Sequence, residues 1–150
     1  MFTETDLSRL AAFIDSEGCV LITKPACNDG TGRRLHQLRI IIANTDPRLM
    51  VWLKETFGGY VGKQSGCASK LSRKVCFYWV THSKAAEDLL RLCRPYFILK
   101  TEQVEVALAF RETVTRKRGR GGLTADEVAE RELFREQLSA IKKSVGVLKS

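Results

Sequence analysis

No apolar run in these 150 residues approaches the ~20 that a membrane-spanning helix needs. The leading segment is also short of positive charge. Met1 to Asp6 holds Glu4 and Asp6 but no Lys or Arg, so neither a secretory signal nor a transit peptide is expected. The five cysteines, Cys19, Cys27, Cys67, Cys76 and Cys93, include no CxxC pair and are odd in number. A disulfide framework and a zinc ribbon are therefore not indicated, and Cys76 and Cys93 read as buried small apolar residues. Histidine is scarce, and His36 and His82 lie far apart in sequence, which offers little support for a Cys–His nucleophile pair. Composition is not skewed either. With 44% hydrophobic and 28% charged residues, collagen-like and wholly disordered classes are excluded. A single soluble, intracellular domain over residues 1–150 is expected, long enough to bury a core without staples.

What the sequence lacks most is acid. Seventeen Asp+Glu face 25 Lys+Arg, for a net charge of +8. An excess of this size is an argument about partners, and polyphosphate is the first candidate. The charge is unevenly placed. Residues 1–23 carry Arg9 against Glu4, Asp6, Asp15 and Glu17, so the first segment is net −3 and residues 24–150 are net +11. Glu4 and Asp6 suit a helix start, where the dipole favours anions. Asp15 and Glu17 fall at a helix end, where it does not. Acids beside a basic surface make sense if a divalent cation sits between carboxylate and phosphate.

Hydrophobic periodicity orders the chain. Leu7, Leu10, Ala11 and Ile14 form a helical stripe over residues 4–17, capped by Thr3 or Thr5 and ended by Gly18. Strands are predicted at 19–23, 35–43, 60–65 and 72–81, with loops at 25–32 and 66–71. Asp46 and Pro47 open a helix that runs to Phe57 and stops at Gly58-Gly59. Ser83 caps a helix to about Cys93, and Pro95 breaks it. A long helix follows over about 98–115, then a basic, Gly-rich linker at 116–122. A final helix spans about 124–143, opened by the Thr124–Glu127 capping pattern. Two hairpins, each followed by a helix, predict an α+β fold: one four-stranded antiparallel sheet with helices on one face. The uncovered face would carry Gln37 and Arg39.

Residues 10–18 read Leu-Ala-Ala-Phe-Ile-Asp-Ser-Glu-Gly. This resembles the LAGLIDADG signature, with acids in both acidic positions and the closing Gly in place. Ala12, Phe13, Ser16 and Glu17 replace Gly, Leu, Ala and Asp. Residues 95–103, PYFILKTEQ, resemble a P-[FY]-L-x-x-K-x-x-Q segment late in the same domain family, and Asn44 stands where that family has a Gln or Asn. The resemblance covers about residues 5–112 and implies the αββαββα LAGLIDADG homing endonuclease fold, with additional C-terminal helices.

The resemblance also implies a role for each matched residue. Ala12 and Ser16 lie four apart on one helix face, and small side chains there allow close helix pairing. A single motif per chain then implies an isologous homodimer through Ala12 and Ser16. Glu17 and the Ser16 backbone carbonyl would ligate Mg²⁺, with Mn²⁺ or Ca²⁺ able to occupy the same sites. Asp15 would be structural. Lys100 would stabilise charge on phosphate or activate water, whereas Lys100 alone reads as a solvated helix lysine. Asn44 would hold the water network. DNA contacts would come from Thr23, Gln37, Arg39, Ile41 and Gln64 on the open sheet face, from Arg33 and Arg34 at a hairpin tip, and from Arg116, Lys117, Arg118 and Arg120 on phosphates. Leu21, Tyr60 and Gly62 share that face by alternation, and the apolar fourth strand leaves open which of Phe77, Tyr78 and Trp79 faces DNA. The implied protein is an intron-encoded, Mg²⁺-dependent, sequence-specific DNA endonuclease cutting a long near-palindromic site. It would act in a bacterial cytoplasm or an organelle, wherever its target lies, with no membrane partner and no small-molecule substrate. The alternatives are a non-catalytic intron RNA maturase and a DNA-binding regulator on the same fold.

Overall fold

In the computed structural model, which describes residues 1–24, 36–64, 75–116 and 124–147, the first apolar stripe forms helix α1, Glu4–Glu17. Thr3 is its cap. Its hydroxyl accepts from the Asp6 amide at 3.1 Å, and the Asp6 carboxylate accepts from the Thr3 amide in return. Leu10, Ala11 and Ile14 are fully buried. At Gly18 the chain turns from helix into strand at once. A Cβ there would lie 2.6 Å from the Ile14 Cα, so only glycine permits the turn.

Strands β1 (Gly18–Thr23), β2 (Gln37–Asn44), β3 (Tyr60–Gln64) and β4 (Cys76–His82) form one antiparallel sheet in the order β1-β2-β4-β3. Alternation assigns the two faces. Val20, Ile22, Leu38, Ile40, Ile42, Trp79 and Thr81 are buried toward the helices. Leu21, Thr23, Gln37, Arg39, Ile41, Tyr78, Val80 and His82 take the other face. Arg39 stands opposite His82 and Leu21, while Gly62 stands opposite Tyr78.

Helix α2, Pro47–Phe57, is capped by Asp46, whose side chain accepts from the Arg48 amide. Hydrogen bonds from Arg48 hold the Asp46 carboxyl down at about 2. After α2, Gly58 and Gly59 adopt φ of 74° and 79°, and the Trp79 indole donates to the Gly58 carbonyl at 2.8 Å. Helix α3, Ser83–Cys93, runs into a 3-10 turn at Arg94–Tyr96, and then α4, Thr101–Arg116, packs against α3. Between α3 and α4 lies buried Glu87, which accepts from Arg111 at 2.9 Å and from Arg91 at 3.0 Å. Burial pushes Glu87 up, but the two guanidinium hydrogen bonds win and leave it below its ordinary value. Burial alone raises the Cys93 thiol to about 12, so it stays a neutral core group.

Helix α5, Ala125–Val147, has a reciprocal cap between Thr124 and Glu127. It buries Leu138 and packs Phe134 against Phe110 with ring centroids 6.3 Å apart. It lies along β1, the sheet edge, where Lys142 donates to the Val20 carbonyl at 2.7 Å. The Nε2 of fully buried His36 meets Glu132 at 2.7 Å.

The α+β architecture matches the sequence expectation, and some details differ. The α3 cap position is His82, not Ser83. Ser83 is the first helical residue at φ 54°, and its hydroxyl accepts from Gln37 instead of capping. Helix α4 begins at Thr101, not Ile98, because residues 98–100 wrap around the Asp15 carboxylate. Cys76 is half-buried on the open face, whereas Cys93 is buried as expected. Helix α5 extends past 143 to Val147. The loops at 25–32 and 66–71 and most of the 116–122 linker lie outside the described residues.

Candidate active site and open sheet face

The C-terminal turn of α1 brings together residues far apart in sequence. Asp15 is buried, and its carboxylate accepts the Ile98 amide at 2.8 Å and the Lys100 amide at 3.0 Å. The Lys100 ammonium donates back to the Asp15 backbone carbonyl at 2.7 Å. Asp15 therefore fastens the segment before α4 onto α1, and both of its oxygens are engaged. Two residues on, Glu17 is exposed, and its carboxylate accepts from the Asn44 amide nitrogen at 2.6 Å. Asn44 is itself fixed, because its oxygen accepts the Asp46 amide at 2.8 Å. The end of β2 thus aims a donor at the end of α1.

These oxygens are hard donors, as Mg²⁺ or Ca²⁺ requires. Glu17 and the neighbouring Ser16 carbonyl fit such an ion in kind. Among the described residues, no group of three His, Cys, Asp or Glu suited to a metal surrounds them.

Ala12 and Ser16 are both exposed on one side of α1. The Ser16 hydroxyl donates to the Ala12 carbonyl at 2.9 Å, so the polar group is satisfied inside its own helix and the surface stays small. Beside this stripe, Ile98 and Leu99 are 84% and 70% exposed. On its other flank is a hollow of about 590 Å³ lined by Arg9, Phe13, Asn44, Leu49 and Trp52.

The open sheet face is the second feature. A groove of about 860 Å³ there is lined by Arg39, Ile41, Tyr60, Gln64, Tyr78 and His82, among others. Thr23 and Gln37 continue it toward β1. Tyr78 lies across Gly62, where any Cβ would collide with its ring and hydroxyl. Tyr60 and Tyr78 stand 6.2 Å apart between ring centroids. The sequence leaves the face of Tyr78 open and does not mark Val80 or His82 as lining this groove. The signal was present as alternation with Phe77, Trp79 and Thr81, but aromatic and β-branched residues on both faces of β4 masked it. Arg33, Arg34, Lys117, Arg118 and Arg120 lie outside the described residues, and Arg116 ends α4.

Solved structures share this fold. The homing endonuclease I-CvuI, in complex with its target in the presence of 2 mM Ca, matches with a TM-score of 0.74 and 15% identity over 91% of this chain and 82% of its own. The homing endonuclease I-TnaI matches with a TM-score of 0.68 and 14% identity, over 97% of this chain and 99% of its own. The chain has the LAGLIDADG homing endonuclease fold. No protein-family model and no curated protein matches the sequence, and at these identities the likeness is one of fold. The LAGLIDADG meganuclease I-AabMI, bound to uncleaved DNA, matches with a TM-score of 0.67 and 17% identity, over 85% of this chain but only 44% of its own. In this chain's version of the LAGLIDADG fold, the acidic turn of α1 leads directly into β1 and meets the end of β2 through Glu17 and Asn44. No described helix is long and apolar enough to cross a membrane.

Proposed function

We propose that the protein is a sequence-specific, divalent-metal-dependent DNA endonuclease that cuts a long near-palindromic site as a homodimer. The observation that carries this reading is Glu17, an exposed carboxylate gripped by Asn44 at the end of α1 while Lys100 is tied to the same turn. A protein that only binds nucleic acid has no need of all three.

A second copy completes what one chain begins. The exposed small face of Ala12 and Ser16 lets two α1 helices approach closely, and exposed Ile98 and Leu99 beside it are suited to burial against a partner. Two-fold pairing would bring the two Glu17 carboxylates together, where their repulsion favours a cation between them. That this chain spans about half of I-AabMI supports the same reading. Glu17 and the Ser16 carbonyl would hold the ion, Mg²⁺ first and Mn²⁺ or Ca²⁺ as substitutes. When bound, the ion would polarise water and stabilise the leaving oxygen of a phosphodiester.

The chain's own residues do the rest. Asn44 orients the Glu17 carboxylate by donating to one oxygen. Lys100 places a positive charge at the same turn for a phosphate oxygen. Thr23, Arg39, Ile41 and Gln64 present side chains to base edges from the open sheet. Arg33 and Arg34 add base or phosphate contacts, and Arg116, Lys117, Arg118 and Arg120 add phosphate contacts that carry no sequence information. The two-fold of the dimer imposes near-palindromy on the DNA. Such an enzyme acts wherever its target DNA lies, a bacterial cytoplasm or an organelle, and an intron is the fitting place for its gene.

The test is incubation with a randomised duplex library in Mg²⁺ and, separately, in Ca²⁺. The reading expects selection of a long symmetric site and its cleavage in Mg²⁺. Glu17→Gln should abolish cutting and leave binding nearly intact. Binding without cutting in either ion would replace the nuclease with a regulator. A monomer by sedimentation, with and without DNA, would remove the paired-helix site.

A further inference from the structure

We infer that Gln37 does not read a base itself but positions Arg39, which reads guanine as the end member of a side-chain ladder running Arg39–Gln37–His82/Ser83. The inference rests on the DNA-binding reading above and names the specificity set on its open sheet face.

The hydrogen bonds determine the roles. Arg39 Nε donates to Gln37 Oε1 at 3.0 Å. A guanidinium has only donors, so Gln37 must turn its oxygen to Arg39. Its amide nitrogen then points away, toward His82 Nδ1 at 3.1 Å and the Ser83 hydroxyl at 3.1 Å. The chain places these residues together by register. Gln37 and Arg39 are two apart on one face of β2, and His82 is the direct cross-strand partner of Arg39. Ser83 is held at φ 54°, and its hydroxyl serves Gln37 rather than the helix it begins.

Three consequences follow. The oxygen of Gln37 is occupied, and both of its N–H groups have acceptors within reach. An adenine edge needs both a free oxygen and a free N–H from the same amide, and Gln37 offers neither without breaking the ladder. Arg39 Nε is occupied as well, while its two terminal nitrogens have no role in the ladder. Two parallel donors from one guanidinium end match the O6 and N7 acceptors of guanine. With Nε held, the Arg39 fork is pre-oriented, and less side-chain freedom is lost on binding. Finally, the ladder fixes the tautomer of His82. A nitrogen that accepts from Gln37 leaves the proton on Nε2, the ring edge turned from Gln37.

The experiment is a per-position base-preference profile, taken by selection from a randomised duplex library in Ca²⁺ so that binding is read without cleavage. Arg39→Ala should lower guanine preference about tenfold at one position of each half-site. Gln37→Met, of similar length and with no hydrogen-bonding amide, should relax that same guanine several-fold and change no adenine position. Gln37→Glu keeps an acceptor for Arg39 and should retain the guanine preference. His82→Phe should loosen the same position more weakly, because Ser83 still holds Gln37. Loss of an adenine preference in Gln37→Met, or an unchanged guanine there, would overturn the ladder while leaving DNA recognition intact. A wild-type protein that enriches no sequence would overturn the DNA reading and the ladder together. Circular dichroism melts of each variant separate misfolding from altered preference.

Discussion

The Asn44 amide nitrogen donates to the Glu17 carboxylate at 2.6 Å, joining the end of β2 to the end of α1. Glu17 is one methylene longer than the aspartate of the motif it resembles, and the anchor limits where that extra length can swing. The Asp46 amide occupies the Asn44 oxygen, so the side chain cannot turn over and present oxygen to Glu17 instead.

Removing this donor should therefore cost activity more than binding. Under the proposed function, in which Glu17 holds the metal, Asn44→Ala should lower cleavage about 10- to 100-fold, the usual effect of losing a group that orients a metal ligand. DNA affinity in Ca²⁺ should change little. Asn44→Asp should be worse, because it sets a second carboxylate against Glu17. Single-turnover cleavage and equilibrium binding on the same site separate the two effects.

Asp15 should behave as a structural acid. Its carboxylate accepts two backbone amides, from Ile98 and Lys100, in a part-buried position. Asp15→Ala would leave both donors without that partner and should destabilise the fold by about 1–3 kcal/mol. Urea unfolding gives the stability change. A variant that keeps its stability but loses cleavage would instead place Asp15 in the chemistry.

Two glycines should respond differently to alanine. At Gly18 the new Cβ would meet Ile14 backbone at 2.6 Å, and backbone on both sides can give little. A loss of about 1–3 kcal/mol is expected from overpacking. At Gly62 the obstacle is the Tyr78 side chain, which lies half-buried on an open face and can swing away. Gly62→Ala should therefore fold with little loss but shift base preference near Tyr78. Thermal melts and the library profile measure the two outcomes.

Acid should weaken the α3–α4 contact before it reaches the apolar core. Glu87 is held below its ordinary value of 4.5 by Arg111 and Arg91 against the cost of burial. A depressed carboxylate stabilises the fold fully above that ordinary value and loses its contribution as pH falls through the lowered one. Glu132 is also lowered, chiefly by the His36 hydrogen bond. Stability should thus decline below about pH 4.5, and Glu87→Gln should be less stable at neutral pH with a flatter acid limb. Urea midpoints across pH 3–7 for both proteins check the sign.

Much of this protein was legible along the chain because its signals are local. The α1 stripe, the Thr3 cap, the Asp46-Pro47 helix start and the Gly58-Gly59 stop each depend on neighbours within one or two turns. The alternation in β2 already separated Leu38, Ile40 and Ile42 from Gln37, Arg39 and Ile41. Strand β4 was harder, since its apolar residues fall on both faces, and only pairing with β2 and β3 sends Trp79 inward and Tyr78 outward. The start of α4 was misplaced for a related reason. Residues 98–100 have helical composition, but an acid 83 residues earlier in sequence competes for the Ile98 amide.

The sequence by itself determined the element order, the two acids at the end of α1, the basic excess around them and the small pair Ala12 and Ser16. These follow from composition and short-range periodicity, which act through the chain's own neighbours. Only the tertiary structure decided that Asp15 is engaged by backbone amides while Glu17 is exposed, that Asn44 orients Glu17, and that Gln37 faces His82 as well as Arg39. Those roles depend on which hydrogen-bond partners lie within about 3 Å. Strand register and helix docking set that distance, and neither is written in any local stretch of the chain.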